Sequence, residues 1–193
     1  MTSGPASNAE PLQIRELRPD DVPLLATFDC GDPDLNGFLR DDAARLGEQH
    51  VVRPYVALVG EALVGYLALM ADAVRLQTPE RKKLRLGSAD HPWVPAVKVA
   101  RLAVAKASQR RGLGVALMRF AVAKAYEAGE YVGCRLLTLD SYQGAIEFYR
   151  GLGFAFNKAS DYRGHHHPSM RLDLYAPKVP AWLTGGSSTQ GPA

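Results

Sequence analysis

The chain has 193 residues, 47% hydrophobic and 22% charged, with 23 Lys+Arg against 20 Asp+Glu for a net charge of +3. That is enough apolar content for the core of one domain, and the balance excludes a wholly disordered chain or a uniformly basic coat for nucleic acid. Two cysteines, Cys30 and Cys134, exclude a disulfide scaffold and a four-ligand zinc site; no apolar run suits a membrane span, and the polar start lacks a signal-peptide apolar region, so a cytoplasmic protein is expected.

Residues 1–10 and 177–193 are rich in Pro, Gly, Ser and Thr, and read as flexible ends around one domain spanning 11–176, with Trp182 and Leu183 as anchors in the tail. Ile14 to Leu17 reads as a strand, and Pro19-Asp20-Asp21 opens a helix. Asp32 caps a second helix, with Pro33 in its first turn and Leu35, Phe38, Leu39, Ala43 and Leu46 along one face. Tyr55 to Val59 and Leu63 to Ala71 form a hairpin around Gly60-Glu61, with Gly65 as a bulge or kink. Residues 72–95 read as a long loop with one helical turn around Pro79 to Leu86. Ala96 to Val104 is the next strand, and Gly112 to Glu127 the next helix, stopped by Gly129. Arg135 to Leu139 is a buried-type strand, Gly144 to Arg150 a short helix, and Phe154 to Phe156 a short strand. Met170, Leu172 and Leu174 alternate with Arg171, Asp173 and Tyr175, the pattern of a half-exposed closing strand. Such mixing predicts an α/β domain around one sheet.

Chemistry concentrates between Arg101 and Val115, where a strand ends, a turn of small and basic residues follows, and a helix begins. Open backbone N–H groups and the positive end of the helix dipole make an anion site there. Gly112 and Gly114 let phosphates approach the backbone, and Arg110 and Arg111 add cationic donors. A P-loop would need Lys-Ser/Thr after the second glycine, where Val115-Ala116 stands; a dinucleotide fingerprint would need a glycine at Leu117.

What remains, Gln109-x-x-Gly112-x-Gly114, resembles the pyrophosphate turn of the GCN5-related N-acetyltransferases (GNAT), which bind acetyl-CoA. Ala145-x-x-Phe148-Tyr149-x-x-x-Gly153-Phe154 is similar to a second element of the same family. The resemblance implies a GNAT-like single domain: a mixed, twisted and largely antiparallel sheet, splayed at the cofactor site and flanked by about four helices. It implies that Gln109, Arg110, Arg111, Gly112, Leu113, Gly114 and Val115 hold the pyrophosphate. Leu102, Ala103 and Val104 would line the thioester and pantetheine arm, with a backbone N–H of Leu102 or Ala103 facing the carbonyl oxygen where charge develops. Ala145 and Phe148 would lie beside the cofactor, and Tyr149 would protonate the departing thiolate, a task suited to a phenol that stays protonated at neutral pH. Phe28-Asp-Cys30-Gly31-Asp-Pro-Asp-Leu35-Asn36-Gly-Phe38-Leu39 resembles a signature of one branch of the family, which includes toxins that acetylate aminoacyl-tRNA. Two positions depart from the family pattern: Tyr142 stands where Asn is common, and Val97 to Ala100 holds Lys98 but no Glu as general base.

For that base, Asp140 at the end of its strand is the first carboxylate to consider, with His50 next; transfer without a protein base is the third possibility. The run His165-His166-His167 reads as a loop over the acceptor cleft, and no metal is expected, because no paired Cys/His/carboxylate cluster supports one. The leading expectation is an N-acetyltransferase in which a primary amine attacks acetyl-CoA directly in a ternary complex. Two alternatives stand beside it: a toxin acting on aminoacyl-tRNA, with an antitoxin partner, and a CoA-binding regulatory module without catalysis. Only the toxin reading involves nucleic acid, none involves a membrane, and a homodimer through exposed final strands is compatible with each. Residues 16–48 carry nine carboxylates against three arginines, whereas 98–124 carry seven cations and no acid. In the resembling fold the first block walls the acceptor side, which points to a small or peptide-like cationic amine. Residues 75–85, with five cations and only Glu80, keep the polyanionic acceptor in play.

Overall fold

The structure is a computed structural model that describes residues 10–87, 92–159, 166–178 and 180–184. The expectations for residues 1–9, for most of the tail and for His165 lie outside the described residues. Seven strands run β1 (Leu12–Glu16), β2 (Arg53–Val59), β3 (Ala62–Arg75), β4 (Trp93–Val104), β5 (Leu136–Asp140), β6 (Ala155–Phe156) and β7 (Ser169–Asp173). They order β1-β2-β3-β4-β5-β7-β6 in the sheet. Pairs β1–β2, β5–β7 and β6–β7 are antiparallel and β4–β5 is parallel. The helices are α1 (Val22–Leu25), α2 (Pro33–Gly37), α3 (Ala43–Glu48), α4 (Thr78–Lys83), α5 (Leu113–Tyr131), α6 (Ile146–Gly151) and α7 (Ala181–Thr184). Among the described residues they are more numerous than the four expected, and all but α5 are short. The chain divides into two compact units, one of Met1–Ala68 with Arg101–Leu117 and one of Leu69–Ala100 with Met118–Ala193.

In the first unit β1 and β2 pair from Leu12↔Val59 to Glu16↔Tyr55. The helix expected after Asp32 forms, with the Asp32 carboxylate accepting from the N–H groups of Asp34 and Leu35 at 2.9 and 3.1 Å. It is interrupted by a π-helical turn, Phe38–Asp42, that parts α2 from α3. Phe38, Leu39 and Ala43 are its buried residues, while Leu35 and Leu46 are only half-buried. Tyr66 is fully buried beside it, stacked on Phe38 and edge-on to Phe28, and donates its hydroxyl to the Leu35 carbonyl at 2.7 Å. A buried phenol satisfied this way locks the helix to β3.

The second unit corrects three sequence expectations. Residues 72–95 are mostly regular: β3 continues to Arg75, α4 follows, and β4 begins at Trp93. The apolar positions Val74, Leu76, Val94, Ala96 and Leu136 close a core there, with Leu84 and Leu86 packed against it. Alternation of period two in Val74-Arg75-Leu76 was the signal for the longer strand. Gly129 does not stop α5, which runs through it to Tyr131; a Cβ at Gly129 would stand 3.2 Å from the Tyr175 hydroxyl, so the glycine makes room. The closing strand is not half-exposed, because Ser169 and Arg171 are buried along with Met170 and Leu172. Arg171 is covered by Glu80 of α4, at 2.7 Å in an ion pair whose side chains are 8% and 5% exposed. Trp182 of α7 donates its indole N–H to the Leu152 carbonyl at 2.9 Å, which fixes this part of the tail.

Candidate active site

The first unit holds the turn between β4 and α5. Arg110 and Gly112 take φ of +60° and +80°, and a Cβ on Gly112 would meet nothing within 4 Å. The glycine therefore supplies a left-handed backbone in open space at the point where α5 begins. Arg110 and Arg111 are exposed and have no ion-pair partner among the described residues. Leu113, Gly114 and Val115 form the first turn of a 19-residue helix, so their N–H groups face the same opening.

The signature segment explains how that turn is held. Lys106 donates its N–H to the Asp29 carbonyl at 2.9 Å, and its ammonium lies 3.1 Å from the Asp29 carboxylate. The same carboxylate accepts from the Asn36 amide and the Gly31 N–H. Asn36, Gly31 and Lys106 together hold the Asp29 carboxyl down at about 2. Asn36 also accepts from the Cys30 N–H and thiol. Gln109 is expected to contact the cofactor, but its side-chain amide donates to the carbonyls of Cys30 (2.9 Å) and Val104 (3.1 Å), so it clasps the turn to the strand that precedes it. Cys30 and Cys134 have thiols pushed up by burial, which disfavours the reactive thiolate.

Leu102, Ala103 and Val104 close β4, and Ala103 is buried. Gly65 of β3 had been read as a bulge. Its role is close approach: a Cβ there would lie 2.9 Å from the Ala103 carbonyl oxygen. Close approach is thus a demand on Gly65 beyond the bulge or kink that the sequence pattern suggests.

The second unit holds Asp140, Ala145, Phe148 and Tyr149. Tyr149 sits on α6 and is 8% exposed, edge-on to Phe148 and Phe154 with centroids at 5.1 and 5.7 Å. Burial pushes its phenol up to about 12, so it is protonated throughout the working range. Gly153, at φ +89°, turns the chain after α6, and the Phe154 N–H returns to the Tyr149 carbonyl at 3.0 Å. Ala145 ends the 3-10 turn that leads into α6, and Phe148 is exposed. Asp140 ends β5, and one of its carboxylate oxygens takes the Lys98 ammonium at 2.6 Å, so the lysine that replaces a strand carboxylate is also the aspartate's partner. His50 stands at the exposed end of α3 with φ +56° and lines a cavity of about 470 Å³ with Glu48 and Arg53. No group of three His, Cys, Asp or Glu among the described residues could hold a metal ion, and no helix among them is long and apolar enough to cross a membrane.

The acidic block is not a bare field. Asp21 pairs with Arg15, Glu16 with Arg53, Asp29 with Lys106, Asp34 with Arg101, Asp41 with Arg40 and Asp42 with Arg45. Six of its nine carboxylates thus have cationic partners, two of which, Arg40 and Arg45, belong to the block itself.

Comparison with known proteins agrees with this geometry. A tRNA-acetylating toxin of Mycobacterium tuberculosis (strain ATCC 25618 / H37Rv) is 29% identical over 134 residues, 68% of this chain and 78% of the toxin. Among solved structures, a KacT mutant superposes with a TM-score of 0.72 at 23% identity, covering 84% of this chain and 95% of that one. AtaT complexed with acetyl-methionyl-tRNAfMet gives a TM-score of 0.72 at 24% identity over the same shares. The profile of the acetyltransferase (GNAT) family matches residues 16–154, which contain the turn, β4 and Tyr149. The chain therefore belongs to the GNAT family of acetyltransferases and is an acetyl-CoA-dependent N-acetyltransferase.

Proposed function

We propose that this enzyme is a cytoplasmic toxin-type acetyltransferase, which moves the acetyl group of acetyl-CoA onto the α-amino group of an aminoacyl-tRNA and is held in check by an antitoxin. The observation that carries this reading is the likeness to a tRNA-acetylating toxin over two thirds of the chain. The Phe28–Leu39 signature supports it, and Arg15, Arg53, Arg101 and Lys106, which pair with carboxylates of the acidic block from outside it, reduce that block's pull on a small cationic amine.

In this reading the backbone of Gly112 to Val115, with Arg110 and Arg111, holds the pyrophosphate. Gln109 and the Asp29–Lys106 clasp keep the turn in shape, while Leu102 to Val104 present backbone groups to the thioester and pantetheine arm; Ala145 and Phe148 are the cofactor contacts of the second unit. The amine lone pair attacks the acetyl carbon, the C–N bond forms, and the C–S bond breaks with its electron pair on sulfur. The amine proton passes to Asp140, whose carboxylate is positioned by Lys98. A free thiol ionises near about 8.5, well below a phenol held at about 12, so Tyr149 serves the departing sulfur first as a hydrogen-bond donor. Solvent then completes the protonation.

The test is acetylation of a panel of charged tRNAs with acetyl-CoA, read by thiol release and by blocked α-amines, beside growth on induced expression. Tyr149→Phe is expected to lower kcat by about 10²- to 10³-fold, as for loss of one hydrogen-bond donor to developing negative charge, with little change in acetyl-CoA affinity. Acetylation of polyamines or peptides with no charged tRNA modified, and normal growth, would overturn the tRNA reading. Tight acetyl-CoA binding without turnover on any amine would favour a regulatory module.

A further inference from the structure

The second unit carries a groove that takes no part in the chemistry above. It has a volume of about 720 Å³ and is lined by residues of α4, α6, β6 and β7. Its ionisable residues are Glu80, Lys83, Arg150, Lys158 and Arg171. The one acid is spent: the Glu80 carboxylate accepts from the Gln77 N–H at 2.9 Å, the Lys158 N–H at 3.1 Å and Arg171 at 2.7 Å. Glu80 and Arg171 cancel in the floor, which leaves three exposed cations at the rim. Lys83 and Lys158 have no ion-pair partner among the described residues. Arg150 lies 3.0 Å from Glu147, but both side chains are open to water, and such pairs are readily exchanged for a phosphate.

Shape and aromatic content narrow the ligand. Phe156 is 38% exposed at the rim, above the buried Phe154. An exposed aromatic face flanked by cations lets an unpaired base stack while the phosphates on either side are neutralised. An acidic peptide would use the charges and leave the ring idle. The backbone under Lys83 and Lys158 is fixed, because Arg171 further reaches the Phe156 carbonyl and the Asn157 side chain, both at 2.8 Å, and so ties α4 to β6 and β7, while the Lys158 N–H bonds Glu80.

We propose that this groove is a binding site for the tRNA acceptor, with backbone phosphates on Lys83, Arg150 and Lys158 and one unstacked base against Phe156. The proposal rests on the aminoacyl-tRNA reading for its substrate, but the groove's binding is measured without acetyl transfer. Uncharged tRNA is titrated by fluorescence anisotropy at several salt concentrations in the presence of acetyl-CoA. The double variant Lys83→Glu, Lys158→Glu is expected to bind at least about tenfold more weakly, with the salt slope reduced by about 1.5 to 2. Phe156→Ala should lose about tenfold with the slope unchanged. In both variants the melting temperature and the acetyl-CoA affinity should match the parent; Lys83→Gln, Lys158→Gln provides a second, charge-neutral double variant. With charged tRNA, the double variant should raise KM and leave kcat unchanged.

Unchanged tRNA affinity and slope in the double variants would overturn the proposal. So would retained tRNA binding with loss of poly-glutamate binding, which would make the groove an acidic-peptide site. If the parent acetylates charged tRNA and the double variant does so with the same KM, the groove assignment falls and the substrate reading stands. If the parent binds tRNA through these residues but acetylates none of it, the substrate reading falls and the groove stands.

Discussion

Two connecting segments of this enzyme are both polar and basic, yet they are built in opposite ways. The one between β4 and α5 is held at the surface by positive φ at Arg110 and Gly112 and by exposed polar bonds, such as those of Gln109 to the Cys30 and Val104 carbonyls and of Lys106 to Asp29. The one between β3 and β4 is held from beneath by a buried ion pair, Glu80–Arg171, whose members are 91 residues apart. The first arrangement leaves its N–H groups facing outward for a ligand; the second sacrifices one acid to keep a cationic surface rigid. A basic segment is thus a poor guide to function until the fate of its acids is known.

Breaking the second segment should cost the most. Arg171→Met leaves Glu80 buried without its cation and should destabilise the protein by about 3–5 kcal/mol in urea unfolding. Pairing it with Glu80→Leu should recover much of that loss, since removing both charges is far cheaper than removing one. A single variant as stable as the parent would show that the pair is not the anchor. Gly65→Ala comes next: the new methyl must displace the Ala103 carbonyl, at about 1–3 kcal/mol, and calorimetry should show weaker acetyl-CoA binding as β4 shifts. Gln109→Ala should cost only about 0.5–1.5 kcal/mol, because its two bonds are exposed. If its effect falls on cofactor affinity far more than on stability, the side chain touches the ligand as well.

The smallest effect is a pH dependence. The native Asp29 carboxyl lies at about 2, below its unfolded range, so its stabilisation is fully present above the ordinary carboxylate range and is lost progressively as pH falls from that range through about 2. The stability difference between parent and Asp29→Asn should therefore be the same at pH 5 and pH 7. A difference that shrinks already at pH 5 would mean the clasp is open in solution.

The same contrast decides what could be read from the residues alone. The β4–α5 turn was legible because its glycines and arginines stand within six positions and the demand on each is a backbone demand. Tyr149 was legible through its register with Gly153 and Phe154. The clasp was visible as a signature but not as a mechanism, since the spacing of Asp29 and Asn36 says nothing of their meeting Lys106. Arg171 was misread as solvent-facing because alternation in a strand assumes that one face is wet, and α4 covers that face. Gly129 and Gly65 read locally as a helix stop and as a bulge or kink, whereas each also faces an atom distant in sequence, the Tyr175 hydroxyl 3.2 Å and the Ala103 carbonyl 2.9 Å from where a Cβ would stand. Some partners of the acidic block, Arg101 for Asp34, Lys106 for Asp29 and Arg53 for Glu16, likewise lie too far along the chain for any local pattern to pair them.

The two glycines near the end of β4 differ in handedness as well as in room. Gly112 needs a mirror-image backbone and has space around it, so a D-alanine placed there by chemical ligation would sit in its preferred conformation and stiffen the unfolded chain. Gly65 needs emptiness on the very side where an L-residue carries its methyl, and it gains nothing from a reversed torsion preference. Stereochemistry thus separates two uses of the same residue: at Gly112 it is a substitute for a D-amino acid, and at Gly65 it is a substitute for nothing at all.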